Sequence, residues 1–157
     1  MITDTIKSLT KEQEVQLEVY KEKWIKLAFA TTTHHRIDRH KVTFAVENLY
    51  KNVLDLNPPT VIFVSSPTQL YKEVKKEFER RGLVYNSDIS SSVICGTYEA
   101  NWISTYDYII NVLKVKINNI QYFLDLIECT GIGLYFEECC FISERPVHFR
   151  LDNDFRL

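Results

Sequence analysis

Glycine and proline are scarce, with four of each in 157 residues, against a combined share of ~12% in ordinary proteins. Two Trp, nine Tyr and nine Phe accompany them, which excludes a disordered, collagen-like or linker-like chain. No stretch approaches the ~18 uncharged apolar residues of a membrane helix, so no membrane span is expected. Met1 to Lys26 is charged and helical in pattern rather than a basic stub followed by an apolar run. No secretory signal is therefore expected, a cytoplasmic location follows, and the four cysteines are expected to be reduced thiols. A strong charge of one sign is lacking too. Residues 1–82 carry 14 Lys and Arg against 11 Asp and Glu, and residues 83–157 carry 5 against 10. A net charge of −2 without a basic stripe argues against nucleic acid as the partner.

What is present reads as one domain over residues 1–157, near the ~150 residues typical of a single core. Thr10-Lys11-Glu12-Gln13 is a capping box, in which hydroxyl and amide each meet a free backbone N–H. It opens a helix over about 11–30, with Leu17, Tyr20, Trp24, Leu27 and Ala28 on one face. Asp38 can cap a second helix, whose stripe runs Val42, Ala45, Val46, Leu49, Tyr50 and Val53. Asn57-Pro58-Pro59 ends it. Thr60 to Val64 is a continuous β-branched and aromatic run that suits a strand buried on both faces. Ser66-Pro67 then starts a helix that Gly82 stops, with Leu70, Val74 and Phe78 inside. After a weak segment, with Val93-Ile94-Cys95 as a strand or a buried loop, helical spacing returns at Trp102 to Leu113 and again at Ile120 to Ile127. Cys139 to Ser143, a turn at Glu144-Arg145-Pro146, and the alternating Val147 to Leu151 read as a C-terminal β-hairpin. The fold class expected is α+β, mostly helical, with amphipathic helices packed on a small sheet.

Chemistry-bearing patterns are sparse. His34, His35 and His40 lie near Asp38, but neighbouring side chains point apart and helical zinc pairs sit at i and i+4, so no metal site is expected. Cys95, Cys129, Cys139 and Cys140 form no Cys-x-x-Cys, and burial explains them better than nucleophilic chemistry. Ser65 and Ser66 stand where a strand gives way to a helix, a place that can hold an anion. No glycine-rich loop accompanies them and Ser66 is needed as a cap, so no phosphate-binding cofactor is expected. Lys72, Lys75, Lys76, Arg80 and Arg81 alternate with Glu73, Glu77 and Glu79, the composition of a solvated face. Arg39 at a helix start opposes the dipole, and a buried pair with a carboxylate from the C-terminal part is its expected role. Trp102 and Tyr106, four apart, suit either a core or a stacking platform.

Taken in order, several short motifs resemble a family of uncharacterised bacterial domains. They are Leu9-Thr10-Lys11-Glu12-Gln13, Ile37-Asp38-Arg39, Pro59 with Val61 to Val64 and Ser66-Pro67, Trp102 with Tyr106-Asp107, and Ser143-Glu144-Arg145-Pro146. The resemblance implies an architecture and candidate positions rather than a reaction. Resembling chains continue into short β-hairpin repeats, which implies that Phe155 to Leu157 pairs with its own hairpin, pairs with another chain or is disordered. Two functions are thus expected in rank order. The first is a non-catalytic protein-binding or regulatory module, with binding residues drawn from Arg39, Ser65, Ser66, Trp102, Tyr106 and Arg145, and self-association as one form of it. The alternative is a small enzyme or anion binder whose Arg39, Ser65 and Arg145 line one pocket with Asp107 or His148 as base.

Overall fold

The computed structural model describes residues 8–31, 37–82 and 93–148. The first helix, α1, spans Lys11–Ala28, and the capping box is formed: the Gln13 N–H donates to Thr10 Oγ1 at 3.2 Å and the Thr10 N–H to Gln13 Oε1 at 2.9 Å. Helix α2, Arg39–Leu49, is capped by Asp38, whose Oδ1 accepts from the Lys41 N–H at 3.0 Å. It does not run on as α-helix to Val53. At Tyr50 it widens into a π-helical turn, Tyr50–Leu54, that ends at Asp55 in the left-handed region with φ 55°. Strand β1 is Thr60–Val64. Helix α3, Pro67–Arg80, starts on Ser66, whose side chain accepts from the Gln69 N–H, and stops before Gly82 at φ +69°. A positive φ there costs glycine little and any other residue more. Strand β2 is Val93–Cys95, followed directly by α4, Gly96–Asn111. Helix α5, Ile120–Cys129, leads into β3, Ile132–Tyr135, and β4, Cys139–Ser143.

The four strands form one sheet in the order β1-β4-β3-β2, with β1 parallel to β4 and the other pairs antiparallel. The C-terminal hairpin is present, but its position corrects the expectation. Cys139–Ser143 pairs with the upstream Ile132–Tyr135, and the described residues Val147 and His148 belong to no strand. The physical reason lies at the end of β4. The Glu144 N–H continues the pairing with β1 by donating to the Val64 carbonyl at 2.9 Å, and Arg145 then turns inward. The remainder of the expected second strand, and Phe155 to Leu157, lie outside the described residues.

Strand alternation sends Cys140 and Ile142 to one face and Cys139 and Phe141 to the other. The first face packs with Val61 and Phe63 under α2 and α5, while the second packs with Val64 and Leu134 against Leu70 and Val74 of α3. The Thr60–Val64 run packs on both faces but, as the edge of the described sheet, is buried fully only at Val64, with Thr60 exposed and Val61 to Phe63 partly buried. A third cluster lies beyond α5, where Trp24 and Ala28 of α1 meet Ala100 and Ile103 of α4 over Leu124 and Ile127. Helix α5 is therefore apolar on two sides, with Leu126 and Cys129 toward the sheet and Leu124 and Ile127 toward α1 and α4.

Candidate functional site

Arg145 is 3% exposed, the deepest cation among the described residues. Its Nη1 donates to the carbonyls of Leu27 (2.6 Å) and Ala28 (3.5 Å), and its Nη2 to those of Ile127 (3.0 Å) and Glu128 (3.1 Å). These are the last turns of α1 and α5, where carbonyls lack intrahelical partners and the dipole is negative. One guanidinium fork therefore closes two helix ends. Glu144, the preceding residue, lies 3.6 Å from Arg39, whose guanidinium also stands over the Phe63 ring at 5.2 Å from its centroid. The carboxylate partner expected for Arg39 is there, but the pair is not buried, since the Arg39 side chain is 61% exposed.

Asp107 on α4 is 5% exposed and faces α1. Its Oδ2 accepts from Lys23 Nζ at 2.7 Å and from the Trp24 indole N–H at 2.8 Å, and its Oδ1 accepts from Asn111 Nδ2 at 2.6 Å. Both carboxylate oxygens are thus engaged, Oδ2 in fastening α4 to α1 and Oδ1 within α4 itself. At the β1–α3 turn, Ser65 donates its hydroxyl to Gln69 Oε1 at 2.6 Å and Ser66 caps α3. That turn's polar groups are satisfied within the chain. His148 is exposed beyond the end of β4. Asp107, Ser65, Arg39 and Arg145 each have a different set of partners, and no described hydrogen bond joins any two of them. Among the described residues no group of three or more His, Cys, Asp or Glu is placed to hold a metal ion, and no helix is long and apolar enough to cross a membrane. His34 and His35 lie outside the described residues.

The thiols Cys129, Cys139 and Cys140 are free and buried, and the Cys95 side chain lies outside what is described. Cys140 Sγ donates to the Tyr50 hydroxyl at 3.3 Å, and that hydroxyl donates to the Phe136 carbonyl at 2.7 Å. Burial pushes the Cys140 thiol up to about 12, against smaller opposing effects from the hydrogen bonds of Tyr50 and Phe136. A thiol so far from ionising is no nucleophile at neutral pH. Burial opposes the charge on Lys41, but its hydrogen bonds to Glu128 (2.6 Å) and Asp125 (3.1 Å) outweigh it and its pKa is raised. Hydrogen bonds from Arg80 and then Arg81 lower the Glu77 carboxyl to about 2. Lys41 thus joins α2 to α5, whereas the Glu77 pairs lie within the last turns of α3.

A different place is open. Between the π turn, α4 and the start of α5 lies a groove of about 520 Å³, lined by Val53, Trp102, Tyr106, Ile117, Ile120 and Phe123. Trp102 and Tyr106 form an edge-to-face pair with centroids 5.6 Å apart, and each is 37% exposed. Helical spacing puts them one turn apart on the same face of α4. The Trp102 indole N–H donates to Glu99, whose pKa is raised by burial. Asn118 and Asn119 stand at the other wall, and Asn119 takes φ 63° as it turns the chain into α5. The volume lies within the ~300–1,000 Å³ of ordinary ligand pockets, and an apolar lining with few polar groups is their usual character.

Of the positions singled out from the sequence, Trp102 and Tyr106 come together here, whereas Arg39, Ser65, Ser66 and Arg145 do not line it. Val53, Ile117 and Phe123 were not singled out as binding residues. Val53 and Phe123 were visible only as members of apolar helical stripes, and Ile117 only as an apolar residue before the pattern of α5 begins. Comparison of the chain with protein-family models, with curated proteins and with solved structures finds no match.

Proposed function

We propose that this chain is a cytoplasmic, non-catalytic protein-binding module of the bacterial type its motifs resemble, and that the Trp102–Tyr106 groove receives large apolar side chains of a partner protein. The observation that carries this reading is the open groove itself. Two amphipathic aromatic rings, each 37% exposed, line it together with Ile117, Ile120 and Phe123. Trp and Tyr in such positions supply large contact area at small entropic cost, and they dominate measured interface energetics. The chemistry-bearing side chains support the same reading from the other side, because Asp107 and Arg145 are consumed by contacts between helices.

A displayed random-peptide library selected on the protein tests it. Selected sequences are expected to share bulky apolar anchors, to lower acrylamide quenching of Trp102 and to lose binding to the Trp102→Ala/Tyr106→Ala double variant. Trp24 is 3% exposed and contributes little to that quenching signal. Peptides that bind the double variant as well as the parent protein would overturn the assignment.

A further inference from the structure

Helix α1 carries further apolar residues on a side that the described residues leave exposed. Trp24 and Ala28 point inward, with Leu17, Tyr20 and Leu27 beside them. On the opposite side Val15, Val19 and Ile25 are 64%, 52% and 54% exposed. A spacing of 3.6 residues per turn sets Val15 and Val19 ~40° apart and Ile25 ~80° to the other side of Val15, with Glu18, Glu22 and Lys26 interspersed. Single exposed apolar residues need no explanation, but a stripe along one exposed helix face marks an interaction surface.

The charges on the same helix say what kind of surface pairs with it. The first half, Lys11 to Val19, holds Glu12, Glu14 and Glu18 against Lys11 alone, and the second half, Tyr20 to Ala28, holds Lys21 and Lys26 against Glu22 alone, with Lys23 tied to Asp107 of α4. Two copies of α1 laid antiparallel about a two-fold axis near the helix midpoint bring each acidic half against the partner's basic half. The same arrangement sets Val15 of one copy beside Ile25 of the other and opposes the two helix dipoles favourably. A parallel arrangement stacks like charge on like charge throughout.

We propose that the outer face of α1 is the site of an antiparallel, two-fold association with a second copy of this chain. A helix of this length is ~27 Å long, so its face buries well under the ~800 Å² per partner of a standard interface. The dimer is accordingly weak and appears as protein concentration rises. This surface is separate from the Trp102–Tyr106 groove, and the proposal does not rest on the reading of that groove.

Sedimentation velocity of the whole chain across a concentration series is the test. The parent protein is expected to shift from monomer to dimer, less so at high salt, and Val15→Glu/Val19→Glu is expected to stay monomeric at concentrations where the parent dimerises, with unchanged circular dichroism. Reversing the acidic half alone (Glu14→Lys/Glu18→Lys) is expected to abolish the dimer, and adding Lys21→Glu/Lys26→Glu to restore it. Trp102→Ala/Tyr106→Ala is expected to dimerise as the parent does. A parent that stays monomeric throughout assigns the stripe to another occupant and overturns the proposal. So does a dimer that survives Val15→Glu/Val19→Glu, or one that the second charge reversal fails to restore.

Discussion

Replacing Arg145 by alanine removes the one group that closes the C-terminal ends of both α1 and α5. Three of its four carbonyl contacts are between 2.6 and 3.1 Å, and the residue is 3% exposed, so water cannot substitute freely. A hydrogen bond from a charged donor contributes roughly 1.5–3 kcal/mol, and truncation also strands the acceptors it leaves behind. Allowing for partial rehydration of the helix ends, the loss is expected at ~3–5 kcal/mol, the range seen when a buried charged partner is deleted. For a chain of this size each kcal/mol lowers Tm by ~2–4 °C, so a fall of ~10 °C is expected. Urea unfolding followed by circular dichroism measures it, with an unchanged slope showing that the unfolded state is not the cause. Arg145→Lys keeps the charge but loses the planar fork, and is expected to recover less than half of the loss. Arg145→Met replaces the aliphatic stem and separates packing from hydrogen bonding. If Arg145→Ala costs under ~1 kcal/mol, comparable with a surface change, the double helix-end role is wrong and an anion-clamping role for this arginine becomes the better account.

Three further outcomes follow from the same contacts. Asp107→Ala is expected to cost ~2–3 kcal/mol, because it strands the buried Trp24 indole N–H; Lys23→Ala should cost under ~1 kcal/mol, since Lys23 is half-exposed and its ion pair is screened. Equal losses for the two variants, measured by thermal unfolding, would show that the ion pair rather than the indole contact matters. Gly131→Ala places a Cβ 2.5 Å from the Glu144 carbonyl oxygen and 2.9 Å from Ser143 Oγ, so the link from α5 to β3 must shift, at a cost of ~1–3 kcal/mol; a stability equal to the parent's would mean that the link is loose. Cys140 is expected to resist alkylation at pH 8 until the chain unfolds. Its thiol is raised from 9.0 to about 12 by burial, so its contribution to stability is whole below pH ~9 and is lost as pH rises through the folded value. Alkylation of Cys140 in the native protein at the rate of a free thiol would contradict that placement.

The parts of the fold that were legible in the sequence are those set by local chemistry. Thr10, Asp38 and Ser66 cap helices because an oxygen one or two bonds from Cβ meets a free N–H wherever the chain enters a helix, and each does so here. Thr60–Val64 is a strand for a similarly local reason, its run of β-branched and aromatic residues. Pairing was not legible. Ile132-Gly133-Leu134-Tyr135 has neither a long apolar run nor strict alternation, and it becomes a strand because Phe141 and Ile142 of β4 need a partner. The alternation in Val147 to Leu151 suggested a strand that the inward turn of Arg145 does not continue into Val147 and His148. The candidate site divides the same way. Trp102 and Tyr106 were visible as an aromatic pair at helical spacing, but the rest of the lining comes from Val53 of the π turn, Ile117 of the link into α5, and Ile120 and Phe123 of α5 itself. A single extra residue per turn after Tyr50 leaves no mark in composition. Asp107 and Arg145 looked like pocket residues because carboxylates and guanidinium groups serve catalysis and structure alike; only their partners, 84 and 118 positions away in sequence, decide between the two.

The central claim is that the groove beside Trp102 receives a partner's apolar side chains, and the most direct measurement is backbone and aromatic chemical-shift mapping by NMR during titration with a selected peptide. The account predicts shifts concentrated on Val53, Trp102, Tyr106, Ile117, Ile120 and Phe123, with Asp107 and Arg145 little moved. Shifts centred on Arg39, Ser65 and His148, with the aromatic pair unmoved, would contradict it.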